Sequence, residues 1–155
     1  MNKSKSSRDL PTKQSTGFLV RSLHQSFNKL LAQRISHANL TTAQWFFLRA
    51  LWEMDGVAQR ELSNSVGLTE STTVAALKVL EKNGLVKRKR DHIDSRRILV
   101  NLTQKGKKLE KELLPGVLEI NQIVHKGSSV KEIKALQNQL GQLRTRLDEE
   151  FSRNL

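Results

Sequence analysis

The side chains best suited to chemistry in this chain are cations. Lys87-Arg88-Lys89-Arg90 is followed, across Asp91-His92-Ile93, by Asp94-Ser95-Arg96-Arg97. Guanidinium and ammonium groups at this density suit phosphate oxygens, which accept charge-assisted hydrogen bonds. Between Lys82 and Lys111 there are 11 Lys/Arg against 3 Asp/Glu, so most of the net charge of +12 falls on this stretch. Asp94 stands two residues before Arg96, close enough to hydrogen-bond its guanidinium and fix one rotamer. A purely local turn ion pair satisfies the same spacing.

Other chemistries find no footing. The four histidines (His24, His37, His92 and His125) are dispersed, with no i, i+4 pair and no carboxylates clustered at metal-ligand spacing. There is no phosphate-binding glycine loop and no G-x-S-x-G, so no enzymatic activity, metal or cofactor is expected. The absence of cysteine excludes disulfides and thiol-based redox sensing. No apolar run approaches the ~20 residues of a spanning helix. The N-terminus lacks the apolar core of a signal peptide. A cytoplasmic protein with no membrane partner is expected, and 155 residues suit one domain or two small lobes.

The elements that must hold the cations in place lie between Gln59 and Leu102. A short helix, Gln59–Ser65, is turned by Val66-Gly67. Thr69 is placed to cap a second helix over about 70–83, which Gly84 ends. Leu62, Val66, Leu68, Thr73, Ala76, Leu77 and Leu80 form the inward stripe, and Ser63 is small where the two helices cross. The outward side chains of the second helix are Ser71, Thr72, Ala75 and Lys78. They are short or flexible enough for the backbone to sit deep in a major groove. An ordinary helix hairpin with a solvated face has the same pattern. Ile98, Val100 and Leu102 then alternate with Leu99 and Asn101 at a strand's period. Together with Leu85 to Arg90 they make a two-stranded wing, whose tip can follow phosphates while an arginine enters the minor groove.

The run Asp94-Ser95-Arg96, then Val100-Asn101-Leu102-Thr103 and Gly106, resembles the wing signature D-x-R…V-x-L-T-x-x-G of the MarR family (multiple antibiotic resistance regulators). Thr72 to Leu77 and Leu80 to Val86 are similar to that family's recognition helix and its exit. The resemblance spans about 17–155. It implies a sequence-specific, DNA-binding transcriptional regulator, a ligand-responsive repressor that binds a pseudo-palindromic operator as a homodimer. By this resemblance Arg96 is the minor-groove arginine, Asp94 its orienting partner, and Ser71, Thr72 and Ala75 face base edges. Thr69, Lys78, Arg88, Lys89, Arg90 and Arg97 complete the expected DNA-binding set. Ala58 stands where the family commonly places a Ser or Thr cap, which implies a looser start to the motif's first helix. The implied effector is small and aromatic or acidic, and Arg21, His24 and Trp45 are its expected contacts.

The flanks complete the plan. Residues 1–15 read as a flexible basic N-terminal arm with Lys3, Lys5, Arg8 and Lys13. Residues 16–36 and 104–155 form a helical dimerisation region, and 37–103 the winged helix-turn-helix. Phe18, Leu19, Leu23, Phe27, Leu30, Leu31 and Ile35 recur at helical spacing. Thr41 and Gln44 make a capping box for a helix bearing Trp45, Phe46, Phe47, Leu48, Leu51 and Trp52, which pack as core or line a ligand pocket. Val57 is placed to add a short strand beside the wing. Thr103 caps a long helix that Pro115-Gly116 interrupts with a kink. After Gly127, Ser129 and Glu132 box the last helix, where Ile133, Leu136, Leu140, Leu143 and Leu147 form a narrow a/d seam. With Phe18 and Leu19 that seam defines the expected dimer interface.

The expected fold is mainly α with a small β-hairpin wing: a winged helix-turn-helix plus a helical dimerisation lobe formed by both chain ends. Double-stranded DNA and a second copy of the chain are the expected partners. An architectural, low-specificity DNA binder and a winged-helix protein-interaction module are the alternatives from other classes.

Overall fold

The computed structural model describes residues 12–153. Six α-helices and a three-stranded antiparallel sheet follow in the order α1 (Thr16–Ile35), α2 (Thr42–Glu53), β1 (Val57–Ala58), α3 (Gln59–Val66), α4 (Glu70–Lys82), β2 (Val86–Arg90), β3 (Ile98–Leu102), α5 (Gln104–His125) and α6 (Val130–Arg153). The mainly helical fold with its wing is thus the one the sequence predicts. The wing hairpin gains a third strand: β1 pairs with β3, Val57 opposite Val100, giving the order β1-β3-β2.

By contacts the chain forms two compact units, one ending at Leu118 and the other beginning at Glu119. The first centres on Phe47, Leu48 and Leu51 of α2, Leu62 of α3, Leu77 and Leu80 of α4, and Val86 and Val100 of the sheet, all essentially inaccessible. Each such side chain contributes about 1.5–3 kcal/mol on burial. Around α2 pack α1, α3, α4 and β3, so the helix with the densest aromatic sequence is the hub of this unit. Trp45 and Trp52 meet edge to face with ring centroids 5.2 Å apart. Trp52 also donates its indole N–H to the Gly106 carbonyl at 3.0 Å.

Most helix ends fall where side-chain chemistry puts them. Ser15 accepts a hydrogen bond from the Phe18 N–H. Thr41 and Gln44 form the reciprocal box. Thr69 accepts from the Thr72 N–H. Ser129 and Glu132 bond each other's backbone N–H groups, and the first-turn hydrogen bonds from Ser129 hold the Glu132 carboxyl below its usual range.

α3 and α4 end alike. Gly67 (φ +70°) and Gly84 (φ +71°) take the left-handed conformation after the last turn. Leu68 N–H returns to the Ser63 carbonyl and Leu85 N–H to the Leu80 carbonyl, the six-to-one bond that closes such a terminus.

Three expectations are corrected or refined. α5 runs unbroken through Pro115, where an interruption was predicted. Proline removes one N–H donor, but the buried Leu113 two residues before it holds the helix in the core. The start of α3 has no side-chain cap, as Ala58 implies. It is nonetheless fixed, because Ala58 is the buried last residue of β1 and pairs with Leu99. Of the basic arm, residues 1–11 lie outside the described residues; Thr12–Gln14 form a 3-10 turn.

The second unit contains α6, none of whose residues is buried. Its seam side chains Leu136, Leu140, Leu143 and Leu147 are 48, 41, 37 and 72% exposed.

Candidate nucleic-acid interface

α3 and α4 are joined by buried hydroxyls as well as by packing. Thr73, fully buried on α4, donates to the Ser63 hydroxyl at 2.9 Å. Ser63 donates in turn to the Leu68 carbonyl at 2.9 Å, inside the turn between the helices. Buried hydroxyls without partners cost about 1–3 kcal/mol, so this relay disfavours other crossings. A small residue was expected at Ser63, but its hydrogen-bonding role was not. The polar Thr73 within an otherwise apolar stripe is the signal that could have revealed it.

On the far side of α4, Ser71, Thr72, Ala75 and Lys78 are exposed together, as their spacing predicts. The Thr69 hydroxyl lies 3.1 Å from that of Ser71 and 2.9 Å from that of Thr72. This end of the helix therefore presents a small cluster of hydroxyls that can each donate or accept.

The wing sorts its cations by strand alternation. Val86 pairs with Leu102, Arg88 with Val100 and Arg90 with Ile98 on one face; Lys87 and Lys89 occupy the other. Since Val86 and Val100 point into the core, Arg88 is drawn inward too, and its side chain is only 19% exposed. A half-buried charge needs a partner. Glu81 on α4 supplies it, accepting from Arg88 Nη2 at 2.7 Å, Nε at 3.0 Å and the backbone N–H at 3.0 Å. The side-chain hydrogen bond from Arg88 holds the Glu81 carboxyl below its usual range. Arg88, expected in the DNA-binding set, is thus the bolt between β2 and α4, whereas Lys89 and Arg90 remain exposed.

At the wing tip Asp94 does what the spacing suggests. Its carboxylate accepts from Arg96 Nε at 3.0 Å, Nη2 at 3.3 Å and the backbone N–H at 3.0 Å. The Arg96 side chain nevertheless stays 89% exposed. Its hydrogen bonds, side chain first, keep the Asp94 carboxyl below the ordinary aspartate range. Arg97 turns the other way and donates to Glu61 on α3 at 2.8 Å.

A further clamp secures the base of the sheet. Asp55 accepts the Leu102 N–H at 2.7 Å and pairs with Lys107 at 3.0 Å. Gly106 of the signature has a steric role, because a Cβ there would run into the Leu85 carbonyl oxygen. Glu61, Glu81, Asp55 and Trp52 were missed in the sequence. Their partners lie 7 to 54 residues away, with no periodic signal linking them.

The other expected site residues are scattered in environment. Arg21 and His24 are exposed on α1, His24 facing Asn28 at 2.8 Å. Trp45 is buried in the aromatic contact. Phe18 and Leu19 are 38 and 53% exposed on α1.

A helix-turn-helix with an outward arginine on an adjoining wing defines a winged-helix DNA-binding protein. Comparison with known proteins agrees. Residues 26–113 match the family model described as transcriptional regulator SarA/Rot. The chain is 30% identical over 113 residues to MgrA of Staphylococcus aureus, covering 72% of this chain and 74% of that one. It is 33% identical over 93 residues to TtmR of Methylorubrum extorquens, a match of 60% of this chain that spans about half (48%) of that regulator. The solved structure of BpsR from Bordetella bronchiseptica superposes with a TM-score of 0.78 at 25% identity, over 85% of this chain and 94% of that chain. The chain belongs to the SarA/Rot family of transcriptional regulators, of the MarR winged-helix type. It is a DNA-binding regulator, and the family is not enzymatic.

Proposed function

We propose that this protein is a cytoplasmic, ligand-responsive repressor that binds a pseudo-palindromic operator as a homodimer. Arg96 carries the reading: an arginine that is both oriented by Asp94 and 89% exposed is preorganised for a ligand outside the chain. In this reading α4 enters the major groove with Ser71, Thr72 and Ala75 toward base edges. Thr69, Lys78, Lys89 and Arg90 meet phosphates, and Arg96 occupies the adjoining minor groove. Arg88 serves as scaffold, since Glu81 already neutralises it.

Dimerisation is supported by the apolar side chains that α6 and the first half of α1 leave exposed. Two recognition helices related by a two-fold axis reach successive major grooves about 34 Å apart. Residues 16–36 and 104–155 are the proposed dimerisation region, with 37–103 reading DNA.

Control by a small aromatic or acidic effector is supported by BpsR, whose DNA binding is regulated by 6-hydroxynicotinic acid. Arg21, His24 and Trp45 are the proposed contacts. Such an effector relieves repression only by binding the free protein more tightly than the operator complex.

The test is Arg96→Ala. Operator affinity should fall by about 1–3 kcal/mol while the fold is retained. Unchanged affinity at fixed salt would remove the wing from the interface and favour a protein-interaction module.

A further inference from the structure

We propose that Glu61 withholds Arg97 from phosphate, an autoinhibitory contact that holds down affinity for the DNA backbone. The inference rests on the wing lying against DNA. A cleft of about 670 Å³ separates α3 from the wing, and its lining includes Arg60, Glu61, Asn64, Glu70, Arg96 and Arg97. If α4 fills a major groove and Arg96 the adjacent minor groove, the sugar–phosphate strand dividing those grooves passes over this cleft.

The two wing-tip arginines meet that strand in different states. Arg96 takes its acid from its own loop and projects outward. Arg97 is bound across the cleft to Glu61 at 2.8 Å, with the Asp91 carboxylate more distant at 4.0 Å, and the Arg97 and Glu61 side chains are 46 and 61% exposed. An ion pair so accessible is weak in water, so a phosphate can displace it. The displacement nevertheless leaves the Glu61 carboxylate unpaired beside an incoming anion. Glu61 therefore acts twice, occupying the guanidinium and repelling its competitor. Backbone contacts make up essentially all of non-specific binding, which is the mode this contact restrains most.

The thermodynamic signature is countable. When Arg97 exchanges Glu61 for a phosphate, the released carboxylate regains counterions as the phosphate loses one. That contact then adds little to the salt dependence. Without Glu61, and with only the looser Asp91 contact left, it approaches its full share, about 0.9 of a unit in the logarithmic slope.

The experiment measures binding of the full-length protein to a random-sequence duplex over a range of salt. Glu61→Gln should tighten binding about 3- to 10-fold at low salt and steepen the slope by about one unit. Glu70→Gln removes an acid of the same cleft that makes no ion pair among the described residues, and gives the bare effect of one charge. In an Arg97→Gln background, Glu61→Gln should do no more than Glu70→Gln does. The proposal is overturned if Glu61→Gln weakens binding, matches Glu70→Gln in the parent protein, or acts equally with and without Arg97. If Arg96→Ala also leaves operator binding unchanged, the wing is not at DNA and the underlying reading falls. If Arg96→Ala weakens binding while Glu61→Gln behaves as Glu70→Gln, only the role of Glu61 is lost.

Discussion

The winged helix and α6 solve opposite problems. The winged helix has a buried apolar core and fastens its outer, charged parts with specific pairs: Arg88 to Glu81, Arg97 to Glu61, Lys107 to Asp55. Nothing on α6 is buried; its leucines lie in one exposed row, and the pairs Arg144–Asp148 and Arg153–Glu150 join neighbours on the same helix. One region buries its apolar side chains within the chain, and the other leaves them exposed. Polar pairing fixes orientation, which a reading surface needs, whereas an apolar row supplies adhesion without direction.

The sharpest way to break this contrast is to place a charge in the row. Leu140→Glu should weaken self-association at least about 100-fold, because an unpaired charge buried in an apolar interface costs about 3–5 kcal/mol. Sedimentation should show monomers, while thermal unfolding of the winged helix stays near its original temperature. A variant as self-associated as the parent would deny the seam its proposed role.

Next in size is Gly106→Ala. A methyl group there meets the Leu85 carbonyl oxygen, part of a backbone held by the Thr103 N–H and the closing bond of α4. The cost should approach about 3 kcal/mol in denaturant-induced unfolding, the upper end for overpacking. α6 should be indifferent to the change.

The smallest effect concerns pH. Asp94 has a folded-state pKa below its ordinary value, so its contribution is present at neutral pH and is lost as pH falls through that lowered value. The Arg96 side-chain N–H signals should therefore stay constant down to about pH 4, the ordinary aspartate range, and disperse less below it. Asp94→Asn should reproduce the acid spectrum at neutral pH. An Arg96 signal unchanged by either treatment would mean that the fork to Asp94 does not order it.

Much of the fold was legible because its signals are local. The boxes at Thr41–Gln44 and Ser129–Glu132, the cap at Thr69, the glycines after α3 and α4, and the alternation of β3 each act within a few residues. The outward set on α4 and the Asp94–Arg96 fork were equally readable, one from helical spacing and one from a two-residue separation. Pro115 does not interrupt α5, because its local cost is real yet Leu113 in the same turn is buried. Arg88 misled because a basic run looks uniform in sequence, although Val86 two residues earlier already assigns it to the inner face.

Sequence alone therefore settled where elements begin and end, which faces are apolar, and that the positive charge gathers between Lys82 and Lys111. Those properties depend on intrinsic conformational preference and on neighbours one to four residues away. Tertiary structure alone decided which cations remain free. A carboxylate 36 residues from Arg97 in the chain captures it, and one on the preceding helix captures Arg88. Charge is a property of a residue, whereas its availability depends on what the fold brings within about 3 Å of it.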